Sequence, residues 1–442
     1  MPRLPADVIG SAYRDGSCWE LLEDLTDIGN RMAGHEGERE GAERLLERFA
    51  ELDLRDPRLE EFEINGWWRD QARLQVAGDS LHHPHEVIAL PGSPAGSADA
   101  ELIDVGHGLR PTIEAANVDG RIVLARSDSP PGESYVHRMV KYAAAVQGGA
   151  AGFIYANHVP GCLPPTGDIA YHARPAPVPG VGVSAEVGAT LARQCESGNP
   201  TATVTTACRT EPTTSMNAQA ELGPDTDEIV FVTAHVDAHD IATGAGDNGA
   251  GCALLAETAR LVAEASEELD TTVRFVALGA EECGLFGAYH VADTVPNDRI
   301  RCVLNIDGVG ASREPRLSTN GFTDVAAAIE TAAARFDATV ETSDTVSPHA
   351  DDWAFCERGI PAVQFASVRE ATGRGWGHTH ADTLDKLDPR DLRELAIILA
   401  EAIIEVAGAD RAFKPKQPDE IREALDENDE LELRVGDRWH FE

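Results

Sequence analysis

The sequence predicts an α/β protein with a mostly parallel central sheet flanked by helices and interrupted by an inserted β-rich domain. From Thr210 to about Gly408, short apolar runs alternate with helical periodicities, which is typical of βαβ units and a parallel sheet. Between residues 86 and 207, short strands follow one another between Pro- and Gly-containing turns, which indicates an insert. A chain of 442 residues is also too long for one ordinary core, so two or three domains are expected.

The first 80 residues are predicted to belong to the main domain, although the insert separates them from the rest of it. A helical period from Cys18 to Leu52 is broken by the glycine-containing segment GNRMAGHEGERE. A short alternating strand follows at Leu59–Ile64. Residues 78–86 are polar and rich in histidine, and for so short a tract a solvated linker is favoured over a metal site.

The main domain is predicted to resume at residue 208 and to end near residue 410. Its first strand, Ile229–Thr233, is apolar and β-branched, and a helix is predicted at Ala250–Ala263 after a glycine-rich turn. The acidic residues 411–442 are expected to form a C-terminal appendage. The other predicted elements are strands at 272–278, 302–307 and 361–365 and helices at 325–336 and 390–407.

The charge balance excludes some classes of partner. The chain has 37 Lys and Arg against 76 Asp and Glu, a formal net charge of −39. Nucleic acid and anionic membrane surfaces need cationic partners, so neither is expected. Arg outnumbers Lys heavily and aromatic residues are sparse, which suits a protein adapted to high salt, where screening relieves self-repulsion.

A cytoplasmic location is the expectation from the remaining composition. No segment approaches the ~18–20 uninterrupted apolar residues of a membrane span. The N-terminal segment has no apolar core of the kind that a signal peptide contains. The eight cysteines are dispersed and form no CxxC pair, so reduced thiols are expected, although Cys195 and Cys208 could pair.

Polar side chains follow the first strand of the main domain. His235, Asp237 and His239 would share one face if the strand continued through them, and Asp247 lies in the glycine-rich turn before the helix. Open α/β sheets place their chemistry at this position, at the carboxyl end of a strand. His239 is the furthest along and is expected to be a loop residue outside the site.

Three further strand ends or loops supply the rest of a predicted metal centre. Two imidazoles and several carboxylates, with no cluster of thiolates, suit Zn²⁺ or a related metal such as Co²⁺ or Mn²⁺. Two adjacent ions need a bridging carboxylate plus one acid and one histidine each, and Glu281 is then left over as a general base for a metal-bound water. The set that supplies this count is His235, Asp307, Glu282 and His378, with Asp247 as the bridge.

Each motif also has a simpler interpretation. GAGDNG satisfies the G-x-G-x-x-G pattern of dinucleotide sites, but Asp247 would place negative charge where pyrophosphate binds. The pair Glu281-Glu282 alone could be a solvated helix N-terminus. In GHTHADT the spacing favours His378 over His380 as the ligand, with His380 as the substitute.

Together these motifs resemble peptidase family M28, the zinc aminopeptidases and carboxypeptidases. AHVD, GAGDNGAG, AEECGLFGA, NIDG and HTHADT occur in the order of that family, and the resemblance covers roughly residues 20–75 and 208–408. It implies the zinc-dependent exopeptidase fold, Glu281 as general base, and Asp237 as the acid that holds His235. Metal ligation is implied for His235, Asp247, Glu282, Asp307 and His378.

The insert resembles a protease-associated (PA) domain. GRIVLARS, a helix with Lys141, GGAAGFIYAN and PVPGVGVS carry this resemblance. It implies a unit that shapes substrate access and does no chemistry. An unrelated small α/β insert is the alternative, because these motifs are glycine-rich and loose.

One departure from the family pattern concerns the oxyanion. Many members carry Ser-Asp-His before an aromatic residue, whereas this chain has SPHADDWAF, with Asp352 at the histidine position. A tetrahedral intermediate needs a donor beyond the metals, and His349 is the hypothesis for that donor; a surface histidine is the alternative.

The predicted function is therefore hydrolysis of a peptide bond at a chain terminus by a dinuclear zinc site. An aminopeptidase is favoured, because a free α-amino group suits an acidic cavity. A carboxypeptidase or dipeptidase of the same family stays open. Two other classes are an acyl transferase like glutaminyl cyclase, which needs one metal, and a metal-free binding protein on the same fold. The oligomeric state and side-chain preference are not predicted.

Overall fold

The computed structural model describes residues 3–170, 172, 174–369 and 375–441. The helices are α1 Ala6–Ala12, α2 Ser17–Asp27, α3 Glu36–Glu51, α4 Arg110–Ala115, α5 Arg138–Gln147, α6 Ala185–Glu196, α7 Ala250–Ala263, α8 Phe286–Thr294, α9 Thr323–Ala334, α10 Trp353–Cys356, α11 Pro389–Val406, α12 Pro418–Ala424 and α13 Glu427–Val435. The strands are β1 Arg55–Val76, β2 Asp79–Leu81, β3 Val87–Ala89, β4 Gly96–Asp104, β5 Ile122–Arg126, β6 Gly152–Ala156, β7 Gly180–Val183, β8 Thr201–Leu222, β9 Ile229–His235, β10 Thr272–Leu278, β11 Ile300–Ile306, β12 Pro315–Ser318, β13 Glu341–Ser343 and β14 Ala362–Ser367.

The centre of the main sheet is parallel, which confirms the predicted fold class. β9 lies between β10 and β11, and β11 is followed by β14, all in parallel register. Every residue of β9 is buried, as expected for an apolar, β-branched strand covered on both faces. α7 packs against β9, and α11 packs against α7 and α9. The antiparallel strands β8 and β12 flank this parallel core.

Two long strands join the main sheet to the insert. β1 and β8 have 22 residues each and pair antiparallel along most of their length. The prediction of a short strand at Leu59–Ile64 is therefore wrong in extent, because alternation is lost at Trp67-Trp68 but the pairing with β8 continues. The C-terminal part of β8 pairs with β10, whereas its first residues pair with β4 of the insert.

The insert is a mixed α/β unit rather than a purely β-rich one. β4, β5, β6 and β7 are parallel neighbours, and β3 closes this part of the sheet antiparallel to β7. Helices α4 and α5 pack against each other, and α6 packs against β4, β5 and β6. Two hydrophobic clusters stabilise the unit.

The C-terminal segment is integrated into the molecule rather than appended to it. Ile421 of α12 and Leu433 of α13 are fully buried in the core of the main domain. Leu431, also on α13, packs instead into the core of the insert beside α5. Acidic composition concealed these apolar contacts. In the described part of the chain, none of the helices combines the length and apolar character needed to cross a bilayer.

Candidate metal centre

The parallel register brings the predicted ligands to one edge of the sheet. His235 is the last residue of β9 and pairs with Leu278, the last residue of β10. Glu281 and Glu282 follow β10 within a few residues, and Asp307 directly follows β11. The carboxyl ends of three neighbouring parallel strands therefore converge, as the fold class predicts.

Asp247 is held in the site by its neighbours in the glycine-rich turn. The guanidinium of Arg31 is buried and donates to the carbonyls of Thr243 and Gly244 at 2.8 and 3.0 Å. The carboxylate of Asp382 accepts the N–H of Asp247 at 3.1 Å and that of the preceding glycine at 2.7 Å. The motif GNRMAG thus supports the site from the N-terminal segment, and HTHADT supports it from the other side.

Asp247 faces both predicted metal-binding histidines. One carboxylate oxygen, Oδ1, lies 3.4 Å from Nε2 of His235, and the other, Oδ2, lies 3.3 Å from Nε2 of His378. His378 Nε2 is also 3.3 Å from Glu282 Oε2, and His235 Nε2 is 3.8 Å from Asp307 Oδ1. The five side chains therefore form two connected groups that share one carboxylate.

These donors fit metal ions. Nitrogen and oxygen ligands about 2.0–2.2 Å from a tetrahedral ion lie roughly 3.3–3.5 Å from each other. His235 Nε2 and Glu282 Oε1 are buried and have no hydrogen-bond partner among the described residues. Leaving such an atom unsatisfied costs about 1–3 kcal/mol. A cation at the point that these atoms face would remove that cost.

Asp237 contacts His235 in a different way from the one that the sequence suggests. The closest acceptor to His235 Nδ1 is the backbone carbonyl of Asp237, at 3.1 Å, whereas its carboxylate Oδ1 is 3.6 Å away. That carboxylate instead accepts the N–H groups of Glu281 and Glu282, each at 3.0 Å. Asp237 thus positions the predicted base and a predicted ligand together, a contact that no sequence pattern signals.

Glu281 lies on the His235 side of the centre. Ligand atoms of Glu281, His235 and Asp307 are all within 4.8 Å of one another. Burial raises the pKa of the Glu281 carboxyl well above its ordinary value, and neighbouring carboxylates add to this effect. This environment favours a carboxyl that can hold a proton.

The other site groups respond to their neighbours in opposite directions. Burial lowers the pKa of His235, but the surrounding carboxylates, led by Glu281, outweigh it and raise that pKa well above its ordinary value. Burial raises the pKa of Glu282, but the imidazoles of His239 and His378 outweigh it and hold that pKa well below its usual range. The charges of the acids and imidazoles at this edge of the sheet therefore shift one another's pKa values.

The two remaining histidines of these motifs, His239 and His380, differ in whether they contact the site carboxylates. His239 lies in a loop, as expected, but its ring is buried and its Nε2 is 2.9 Å from Glu282 Oε2. His380 faces away from the carboxylates and contacts the backbone carbonyls of Ile241 and Pro84 at 2.9 and 3.2 Å. Of the two candidates in GHTHADT, the structure therefore brings His378 to the other donors.

A cavity of about 60 Å³ adjoins the site and includes residues from all parts of the chain. His349 lines it, but both of its ring nitrogens have partners: Ser347 Oγ at 3.0 Å and Glu432 Oε2 at 3.1 Å. Glu432 also contacts the insert residue His137 at 3.0 Å. The insert and the C-terminal segment thus contribute to the cavity wall, which the sequence reasoning missed. Other lining residues are Arg138, Asp168, His172, Glu281, Glu282, His378 and Arg438.

Comparison with known proteins agrees with this architecture. The model of peptidase family M28 matches residues 217–403, and that of the PA domain matches residues 89–191. Aminopeptidase YwaD of Bacillus subtilis (strain 168) is 28% identical over 427 residues, 91% of this chain and 87% of its own. Carboxypeptidase Q of Mus musculus is 24% identical over 415 residues, 89% of this chain and 86% of its own.

A solved structure shares the fold. BSAP, a zinc aminopeptidase from Bacillus subtilis, superposes with a TM-score of 0.69 at 24% identity, over 89% of this chain and 95% of its own. The family match and the aminopeptidase relatives identify an α/β metallo-exopeptidase with an inserted domain. Residues 217–403 belong to peptidase family M28, and the insert is a PA domain.

Proposed function

We propose that the chain is a dinuclear-zinc aminopeptidase. One position would be held by His235 and Asp307, the other by Glu282 and His378, with Asp247 shared between them. The observation that carries this proposal is Asp247, whose two carboxylate oxygens lie 3.4 and 3.3 Å from the two different histidines. A carboxylate placed in this way suits a bridge between two ions about 3.5–4 Å apart.

The chain's own residues supply the proton transfers. Bound zinc would activate a water molecule and polarise the scissile carbonyl. The Glu281 carboxylate takes a proton from the attacking water and then delivers it to the leaving amine. Asp237 keeps this carboxylate in position through the backbone N–H of Glu281. His349, which lines the adjoining cavity, is proposed to donate a hydrogen bond to the oxyanion, for which it would have to leave Glu432.

An aminopeptidase is favoured over the other exopeptidases. The site concentrates carboxylates, which attract the free α-amino group of a peptide, and YwaD and BSAP are named as aminopeptidases. A carboxypeptidase or dipeptidase is the second candidate, because Arg138 and Arg438 line the same cavity and a guanidinium pairs well with a terminal carboxylate. The mouse relative, carboxypeptidase Q, is named as a carboxypeptidase.

A substrate panel with metal analysis tests the proposal. The purified protein is assayed on amino-acid p-nitroanilides and on N-blocked dipeptides, with and without chelator, and its metal content is measured by elemental analysis. We expect two zinc ions per chain, cleavage of the p-nitroanilides, and loss of activity with the chelator that Zn²⁺, Co²⁺ or Mn²⁺ restores.

The same panel separates the alternatives. If only the N-blocked dipeptides were cleaved, the protein would be a carboxypeptidase and not an aminopeptidase. A peptide with N-terminal glutamine is added to the panel, and its cyclisation by a protein with one ion per chain would indicate the acyl transferase. A protein that binds no ion and cleaves nothing would be a binding protein on this fold.

A further inference from the structure

We propose that His239 is an additional metal ligand, completing the position that Glu282 and His378 hold. The proposal rests on the proposed dinuclear site and deepens it, because it makes the two metal positions unequal. His239 lies outside the five residues that the family motifs define, four residues after His235 on a loop that leaves the end of β9.

The position of the ring is the first argument. The His239 side chain is only 5% exposed. Its ring centroid lies 4.4 Å from that of His378, with the two planes at 78°. Ligand atoms of His239, Glu282 and His378 all lie within 4.8 Å of one another. Three donors of the types that zinc prefers therefore surround one point.

The hydrogen bonding of the ring is the second argument. His239 Nε2 lies 2.9 Å from Glu282 Oε2 as a charge-pair contact and not as a hydrogen bond. Neither ring nitrogen has a hydrogen-bond partner within the ranges that the structure describes. Glu282 Oε1 also lacks one. Buried imidazoles and carboxylates rarely lack hydrogen-bond partners. Atoms that bind one cation point at the cation and not at each other, so a bound ion would explain why these atoms have none.

The shared carboxylate makes the consequence specific. With Asp247, the second position would have four protein ligands, namely His239, Glu282, His378 and one oxygen of Asp247. The first position would have His235, Asp307 and the other oxygen of Asp247, with Glu281 close by. Four protein ligands are typical of a closed, retained zinc site, and three of an open site that keeps a water. The exchangeable, water-carrying ion is therefore assigned to the His235 side, next to the base.

Zinc binding to the metal-depleted protein tests the assignment without reference to activity. Zn²⁺ is titrated calorimetrically into wild type, His239→Ala and His239→Gln, with His380→Ala as the matched control. We expect wild type to bind two ions with different affinities. His239→Ala should lose the tighter affinity by more than the about 10–100-fold that removal of an outer hydrogen-bond partner costs.

His239→Gln separates ligation from hydrogen bonding. Glutamine can still donate to Glu282, but it is a poor zinc ligand, so this variant should lose the tight site as His239→Ala does. Rescue of tight binding by glutamine, or unchanged binding in both variants, would overturn the proposal. His380→Ala should bind as wild type does. If wild-type protein itself binds fewer than two ions, the dinuclear function fails instead, which is a distinct result.

Cobalt substitution gives a second readout. The visible absorption of Co²⁺ depends on coordination number and ligand type, so wild type loaded with one equivalent should show the spectrum of the tighter site. That spectrum should change in His239→Gln if the imidazole binds the ion. An identical spectrum and an identical affinity in this variant would refute the assignment.

Discussion

The carboxylate of Asp237 links Glu281, the proposed general base, to the proposed metal ligands Glu282 and His235. This carboxylate accepts the N–H groups of Glu281 and Glu282 at 3.0 Å each. The backbone carbonyl oxygen of Asp237 lies 3.1 Å from His235 Nδ1. Misplacement of a reacting group by about 1 Å can lower a rate roughly 100-fold. Asp237 therefore matters for geometry, since it holds Glu281, Glu282 and His235 in fixed relation.

Glu281→Gln should lower turnover strongly while leaving the metal in place. The amide keeps the size of the side chain but cannot accept the proton of the attacking water, so we expect kcat to fall by about 10²–10⁴-fold. Metal content, measured by elemental analysis, should match wild type. Glu282→Gln is the contrasting variant, which should lose metal. Full activity of Glu281→Gln would contradict the mechanism.

His349→Ala tests the proposed oxyanion donor. Loss of such a donor should lower kcat by about 10²-fold or more, with a smaller change in KM. Ser347→Ala is the control, because it removes only the partner of Nδ1 and leaves the His349 ring and its contact with Glu432 in place. A turnover number of His349→Ala within about twofold of wild type would exclude the role.

At the level of elements, helix α13 joins the three parts of the chain. Its residue Glu432 is fully buried and accepts from His137 of the PA domain, from His349 of the main domain, and from Arg438 at 2.9 Å. The carboxylate is satisfied by these three donors, whereas His235 Nε2 and Glu282 Oε1 have no hydrogen-bond partner among the described residues. This cluster therefore fixes the C-terminal segment across the cavity.

Glu432→Ala should destabilise the protein. Removing one partner of a buried charged cluster costs about 3–5 kcal/mol, because the groups that remain are left buried and uncompensated. Urea unfolding measures the loss. Glu430→Ala, on the same helix, is the control: its pair with Arg434 is about half-exposed and should contribute at most about 1 kcal/mol. Equal unfolding free energies for the two variants would contradict this role.

Acid should weaken the contribution of the same cluster. Burial raises the pKa of Glu432, but the imidazoles of His137 and His349 outweigh it and hold that pKa well below its usual range. Stability from this carboxylate is therefore present above the unfolded pKa of about 4.3 and is lost as the pH falls through the folded pKa. The difference in unfolding free energy between wild type and Glu432→Gln should shrink below about pH 4. A difference in unfolding free energy that stays constant as the pH falls would refute this contribution of Glu432.

The local elements were predictable where pattern and burial agree. The helix predicted at 250–263 coincides with α7, and the strand predicted at 272–278 coincides with β10. Apolar alternation underestimates the length of β1, because burial alternates irregularly along its 22 residues while the pairing with β8 continues. The packing of the C-terminal helices against the rest of the molecule is not evident from the sequence, because only a few buried apolar residues in an acidic segment make these contacts.

For the whole molecule, the dominant feature is its charge of −39. Self-repulsion at such a charge destabilises the compact state, and salt screens it over a Debye length of about 10 Å at 0.1 M. The adaptation to high salt that the composition predicts would make the fold depend on this screening.

The unfolding free energy and the activity should therefore both rise with salt. Urea unfolding and p-nitroanilide hydrolysis in a KCl series measure them, and stability should fall steeply as salt is removed. Activity that rises steadily toward low salt would contradict the adaptation.

The sequence by itself determined the fold class and the order in which acids and histidines follow the strands. Both follow from local patterns, because strand periodicity and turn residues are visible within a few consecutive positions. A parallel sheet then places the carboxyl ends of its strands at one edge. The tertiary structure alone decided which side chains meet: that Asp237 supports Glu281 and Glu282, that His239 faces Glu282, and that Glu432 reaches the cavity. These contacts depend on loop conformation and on packing between residues as far apart as 295 positions, which no local pattern contains.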